Sequence, residues 1–185
     1  LIAQNVIYAE LRFAPQSFMQ RGLSQREVVE AALDGLSRSN LSSSIILCCM
    51  RGPRREKANL ETVQLAKEYL TTHDGITALD LAGAEGLFAT SDYRELFALA
   101  SKLDVPFTLH AGEAAGADSV RCAIEMGARR IGHGVRAFED DALLSLLKEN
   151  QIPLELCPTS NRQTKVVSDM KTYPLSDFVK RELAV

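Results

Sequence analysis

The sequence predicts a parallel α/β architecture, read as a (β/α)8 TIM barrel of which about six of the eight units are present. Three observations predict it. Short apolar, β-rich runs alternate with helical segments along the whole chain. Several of these runs are continuously apolar, the pattern of a parallel strand covered on both faces. Nearly every run ends, on its C-terminal side, in polar residues or glycine, and that is the face on which a barrel carries its chemistry.

Taken in order, the first strand is expected over residues 6–13, with Glu10 and Arg12 near its end. Ser24 and Glu27 have capping-box spacing and open a helix that places Val28, Val29, Ala32, Leu33 and Leu36 on one face. A second strand over residues 44–50 runs into Arg51–Lys57, the sole local basic cluster. With Gly52 and Pro53 inside it, that cluster reads as a solvated loop rather than a phosphate site. Helix 58–70 leads to a strand over Ile76–Ala82 that ends in Asp80 and Gly83. A helix over residues 93–103 carries a stripe of Tyr93, Leu96, Phe97, Ala100 and Leu103 and precedes a strand over 106–110. Helix 118–126 is stopped by Gly127, the residue type that most readily takes the left-handed conformation just past a helix end. Strand Arg130–His133 follows, then helix 139–148, which opens on three acids suited to a helix N-terminus and closes at Asn150. The last strand is expected over residues 153–157, followed by Thr159, Ser160 and Asn161.

An open doubly wound sheet is the rival fold, but it usually has a glycine-rich phosphate loop after an early strand. Neither a GxGxxG nor a Walker pattern occurs here. No linker, low-complexity segment or sequence repeat interrupts the chain, so residues 1–185 are expected to form a single barrel domain, incomplete at both ends. A chain of 185 residues with 46% hydrophobic content can bury one sizeable core, although a complete barrel takes ~250 residues. A net charge of −3 argues against a nucleic-acid surface, and no apolar stretch reaches the ~20 residues of a membrane span. The four cysteines, Cys48, Cys49, Cys122 and Cys157, form no CxxC pair and read as reduced, mostly buried thiols of a cytoplasmic protein.

Two segments carry chemistry. His110-Ala111-Gly112-Glu113 places an imidazole at a strand end, where its nitrogen can reach a metal. A glycine turn then brings a carboxyl able to shuttle protons into the same cavity. Gly132-His133-Gly134 closes the next strand, and its glycines leave the imidazole unobstructed. Either histidine, taken singly, also reads as a structural residue bonded to its own turn. His73 lies in a helix-end and turn context and is assigned no role. Cys157 with His133 as its base would make a thiol nucleophile, but only their shared position at strand ends supports that pairing.

Together these segments, with Cys157-Pro158-Thr159-Ser160-Asn161, Asp80-Leu81-Ala82-Gly83 and Glu10-Leu11-Arg12, resemble the adenosine deaminase family in order and spacing across essentially the whole chain. The resemblance implies hydrolytic deamination of adenosine, and of 2′-deoxyadenosine, to inosine and ammonia by a zinc-activated water. It implies that His110 is a zinc ligand and that Glu113 protonates the purine N1. By the same resemblance, His133 orients the attacking water and Gly83 donates its backbone N–H to the purine N3. The family's remaining zinc ligands, a His-x-His pair and an aspartate beside a substrate-binding aspartate, are expected before Leu1 and after Val185, with Leu183–Val185 as the start of the last strand. Deaminases of adenine or N6-modified purines often carry a different residue where Thr159 stands, which favours adenosine. A non-catalytic barrel fragment acting as an interaction module is the alternative from another class. The expected partner is a small-molecule purine nucleoside, with neither nucleic acid nor membrane, and self-association is expected through the open sheet edges.

Overall fold

The continuously apolar runs do become parallel strands. The computed structural model describes residues 1–72 and 74–185, so His73 lies outside the described residues. The chain divides into two compact units. The first comprises Leu1–Gly83 with Ala98–Pro106, and the second Ala84–Phe97 with Phe107–Val185.

In the first unit, β1 (Tyr8–Phe13) is followed by α1 (Gln25–Ser37), β2 (Ser42–Met50), α2 (Glu56–Glu68) and β3 (Ile76–Ala82). The strands form a parallel sheet in the order β1-β2-β3. Ile45 through Cys49 of β2 and Leu79 and Leu81 of β3 are buried, as expected of strands covered on both faces. The capping box at α1 is present: Ser24 Oγ accepts from Glu27 N at 3.2 Å, and Ser24 N donates to Glu27 Oε2 at 2.8 Å. Buried Asn59 of α2 completes the end of β2, accepting from Met50 N at 2.8 Å and donating to Met50 O at 3.0 Å. A strand end that would otherwise leave backbone polar groups unpaired is thus satisfied by a helix side chain.

In the second unit, β4 (Thr108–Ala111), β5 (Arg130–His133) and β6 (Leu154–Glu155) form a parallel sheet in that order. The helix α3 (Arg94–Lys102) begins in this unit, and α4 (Ala117–Glu125) and α5 (Asp141–Glu149) connect its strands. Phe97 of α3 and Phe107 before β4 stack at 4.8 Å between ring centroids. Leu154 N donates to Ala184 O at 2.9 Å, so the chain near its C-terminus makes a strand-like bond beside β6.

Several boundaries differ from the sequence expectation. The strands expected from Pro106 and Pro153 begin later, at Thr108 and Leu154, since proline has no N–H to give a ladder. Helix 139–148 instead spans Asp141–Glu149, because Asp140 is its cap, accepting from Ala142 N at 2.9 Å and Leu143 N at 3.1 Å. Arg51 is buried rather than part of a solvated loop, and α2 starts within the basic cluster, at Glu56. Two short helices, α6 (Pro158–Gln163) and α7 (Leu175–Lys180), had no periodicity long enough to announce them. Cys48, Cys49 and Cys122 are buried, Cys157 is half-buried, and all four are free thiols. Among the described residues, no helix is long and apolar enough to cross a membrane.

Candidate active site

The second unit gathers three of the residues singled out from sequence. His110 lies on β4, Glu113 two residues past its end, and His133 at the end of β5. Parallel pairing sets Gly132 opposite His110 and His133 opposite Ala111. The two imidazoles are 5.2 Å apart between ring centroids. His133 Nε2 lies 3.5 Å from Glu113 Oε2. A Cβ at Gly132 would stand 3.2 Å from both Cα and Nδ1 of His110, so only glycine lets the neighbouring strand carry that ring so close.

His133 has φ 64°, a left-handed conformation uncommon for a residue with a side chain, and it is 6% exposed. Such strain costs on the order of 1–3 kcal/mol and tends to collect at functional sites. Here it turns the chain immediately after β5, before Gly134, which also has φ 64°.

Behind His133 runs a hydrogen-bond chain that sequence reading did not assign. The side chain of Asn161, fully buried on α6, has Nδ2 3.0 Å from His133 Nδ1. Tyr173 OH donates to Asn161 Oδ1 at 3.0 Å. Burial pushes the Tyr173 phenol up to about 12, helped by the nearby Cys157 thiol, so it stays a donor at neutral pH. With Oδ1 thus used as acceptor, the Asn161 amide nitrogen donates to His133 Nδ1. The proton of a neutral His133 ring then sits on Nε2, facing Glu113. Thr164 Oγ1 donates to the other Glu113 oxygen at 3.3 Å. Asn161 was visible as part of the Cys157–Asn161 segment, but nothing in its spacing tied it to a histidine 28 residues upstream.

Glu85 is the second residue missed. It is 6% exposed, and its carboxylate accepts from the backbone N–H of Gly112, Glu113, Ala114 and Ala115 and from the Ser119 hydroxyl. Burial pushes its carboxyl up, but the hydrogen bond from Ser119 and those from Ala115, Gly112 and Ala114 outweigh that and hold it below the ordinary glutamate range.

Gly83 directly follows β3 in the first unit. It has φ 111°, and a Cβ there would meet Arg51 Cβ at 3.2 Å and Arg51 N and O at 3.3 Å. Two residues before the β3 terminus, the fully buried Asp80 receives Arg12 Nη1 at 3.4 Å and the Cys48 thiol at 3.7 Å. Its Oδ1 accepts from Leu81 N at 2.7 Å. Arg12 and Asp80, singled out in the sequence as strand-end residues and as parts of the family-like segments, therefore form an ion pair across the first sheet, with Asp80 fully buried and Arg12 partly so.

Among the described residues, no group of three or more His, Cys, Asp or Glu side chains could hold a metal ion. A catalytic zinc takes three protein ligands as a rule. His110 suits one such position chemically, and the described residues bring no such cluster together around it.

A strand-end imidazole pair with a carboxyl in reach can bind and move protons, and comparison with known proteins gives the chain a family. The adenosine deaminase family profile matches residues 1–185, so the chain belongs to that family. It is 51% identical to an adenosine deaminase of Haemophilus ducreyi over 182 residues, 95% of this chain and 53% of that protein. Among solved structures, it resembles an adenine deaminase from Arthrobacter aurescens with a TM-score of 0.85 and 26% identity, covering 96% of this chain and 55% of that one. It also resembles the N6-methyl-AMP deaminase from Arabidopsis thaliana with a TM-score of 0.83 and 28% identity, covering 98% of this chain and 56% of that one. The chain spans about half the length of the curated relatives it matches.

Proposed function

We propose that this chain forms the central part of a cytoplasmic, (β/α)8-barrel adenosine deaminase, one catalytic domain that converts adenosine and 2′-deoxyadenosine to inosine or deoxyinosine and ammonia. The observation that carries the reading is the 3.5 Å approach of Glu113 to His133 beside the His110 ring, in a chain of this family. Zinc, when bound, would supply a water acidic enough to attack near neutral pH. His110 would be one of its ligands, the others coming from outside this chain.

The remaining roles belong to this chain's own groups. Glu113 gives a proton to the purine N1, which drains electrons from C6 and makes that carbon electrophilic. As ammonia leaves, a net proton passes from water to the departing nitrogen, and a carboxyl at this position can relay it. His133, held by Asn161 with Nε2 towards the site, orients the incoming water and stabilises the negative charge on the oxygen being added at C6. Gly83 is assigned, on the family resemblance, the backbone N–H that donates to purine N3. Adenosine is preferred over adenine or an N6-modified purine because Thr159 stands where deaminases of those substrates often differ.

The test is turnover by the full-length protein on adenosine, adenine and N6-methyl-AMP side by side. The highest kcat/KM is expected for adenosine. Preference for either rival substrate would overturn the specificity assignment, and absence of turnover on all three would overturn the reaction.

A further inference from the structure

Glu85 follows Gly83 by two residues, and its buried carboxylate is surrounded by the loop that carries Glu113. Oε1 accepts from Gly112 N at 2.7 Å and Ser119 Oγ at 2.5 Å. Oε2 accepts from the N–H groups of Glu113, Ala114 and Ala115 at 3.1, 2.8 and 3.0 Å. Ser119 lies on α4, so its bond ties the carboxylate to that helix, and it is bonded in turn to Thr90 Oγ1 at 2.7 Å. We propose that Glu85 is a positioning residue for the reaction: it holds the 112–115 turn and so sets where the Glu113 side chain leaves the backbone. The proposal rests on the proton-transfer role assigned to Glu113 above.

Three physical points carry it. Four consecutive backbone N–H groups converging on one spot form an anion nest, and the anion in this nest is part of the chain. An ionised carboxylate has two acceptor oxygens, about four lone-pair sites in all, and no donor. It therefore draws in the four N–H groups and the hydroxyl, the three donors on Oε2 sharing its lone pairs, through charge-assisted bonds roughly twice as strong as neutral ones. The contacts of Glu113's own carboxyl are long by comparison, 3.5 Å to His133 and 3.3 Å to Thr164. They do not fix its place; the backbone beneath it does.

Glutamine has the same shape but a single acceptor oxygen, and its NH2 group would confront backbone donors. In the full-length enzyme, Glu85→Gln is therefore expected to lower kcat by ~10–100-fold with KM within about threefold, since a misplacement of ~1 Å can cost ~10²-fold. A second readout needs neither substrate nor metal: amide hydrogen exchange at residues 112–115 should quicken in the variant while amides of β4 and β5 exchange as in the parent. Ser119→Ala, which removes one of the five donors, should move both readouts the same way by a smaller factor, and it decides the question if Glu85→Gln does not fold. A kcat within about twofold of the parent, or loop amides as protected as in the parent, would overturn the proposal. If the parent turns over no purine, the functional reading falls, and the exchange measurement alone decides whether Glu85 holds the loop.

Discussion

His133 Nε2 and Glu113 Oε2 face each other at 3.5 Å, while the opposite ring nitrogen of His133 is held 3.0 Å from the Asn161 amide. One side of the imidazole is thus committed to a buried network, and the other is left to the carboxyl and whatever enters the site. Glu113→Gln should separate binding from chemistry. An amide can still hydrogen-bond a purine nitrogen, but it cannot cycle a proton, a function worth ~10²–10⁴-fold. In the full-length protein, substrate affinity and zinc content should stay near the parent while kcat falls by at least that factor. A kcat within tenfold of the parent would remove Glu113 from the mechanism.

Asn161→Ala should both destabilise the fold and slow the reaction. It leaves His133 Nδ1 and the Tyr173 hydroxyl without their shared partner in a buried place, a cost of about 1–3 kcal/mol. It also frees His133 to adopt the other tautomer, which would turn a lone pair instead of an N–H towards Glu113. Tyr173→Phe should be milder, because Asn161 keeps its bond to the ring. Urea unfolding with kcat measured on the same samples checks the order; equal effects of the two substitutions would contradict the chain of bonds.

Much of this was legible in the sequence, and the rest was not, for physical reasons. Strands buried on both faces write themselves as apolar runs, which is why Ile76–Ala82 matched to the residue, while Arg130–His133, with Ile131 its only large apolar side chain, was placed by the turn residues around it. Ser24 and Glu27 interact locally, so their spacing alone predicts the cap. Glu85 and Asn161 act through partners 27 to 34 and 28 residues away, and no local period records such a meeting. The Arg51 position misled because a basic residue beside Gly52 and Pro53 looks solvated, whereas it packs against the turn at Gly83.

The Glu85 clamp should also appear in acid stability. Its folded-state pKa lies below the ordinary value because the hydrogen bonds outweigh burial. A group depressed in the folded state contributes stability that is fully present above its unfolded pKa, about 4.3 for glutamate, and lost as pH falls through the folded-state value. Glu85→Gln should therefore melt below the parent at neutral pH, with the gap narrowing once pH drops under about 4. Thermal unfolding of both proteins across pH tests this; a gap that stays constant into acid would show that the carboxylate's charge is not what matters.

The 185-residue chain prepared by itself should bind zinc poorly, leave adenosine unconverted and self-associate. Among its described residues no cluster of three or more ligating side chains exists, and His110 alone cannot meet the usual requirement of three protein ligands for catalytic zinc. Its β1 strand pairs with β2 along one side, and Ile7, Tyr8 and Leu11 on or next to it are exposed, Ile7 by 87%. A strand at the end of the β1-β2-β3 order with exposed apolar side chains is a template for association with another copy. Zinc analysis after dialysis should find well under one ion per chain, sedimentation should show species heavier than the 20.3 kDa monomer, and the adenosine absorbance should not change. Supplying the missing length, as in a full-length protein, should restore both metal and turnover. Stoichiometric zinc with robust turnover in the isolated chain would show this wrong. It would mean that residues of this chain, or of a second copy, complete the site.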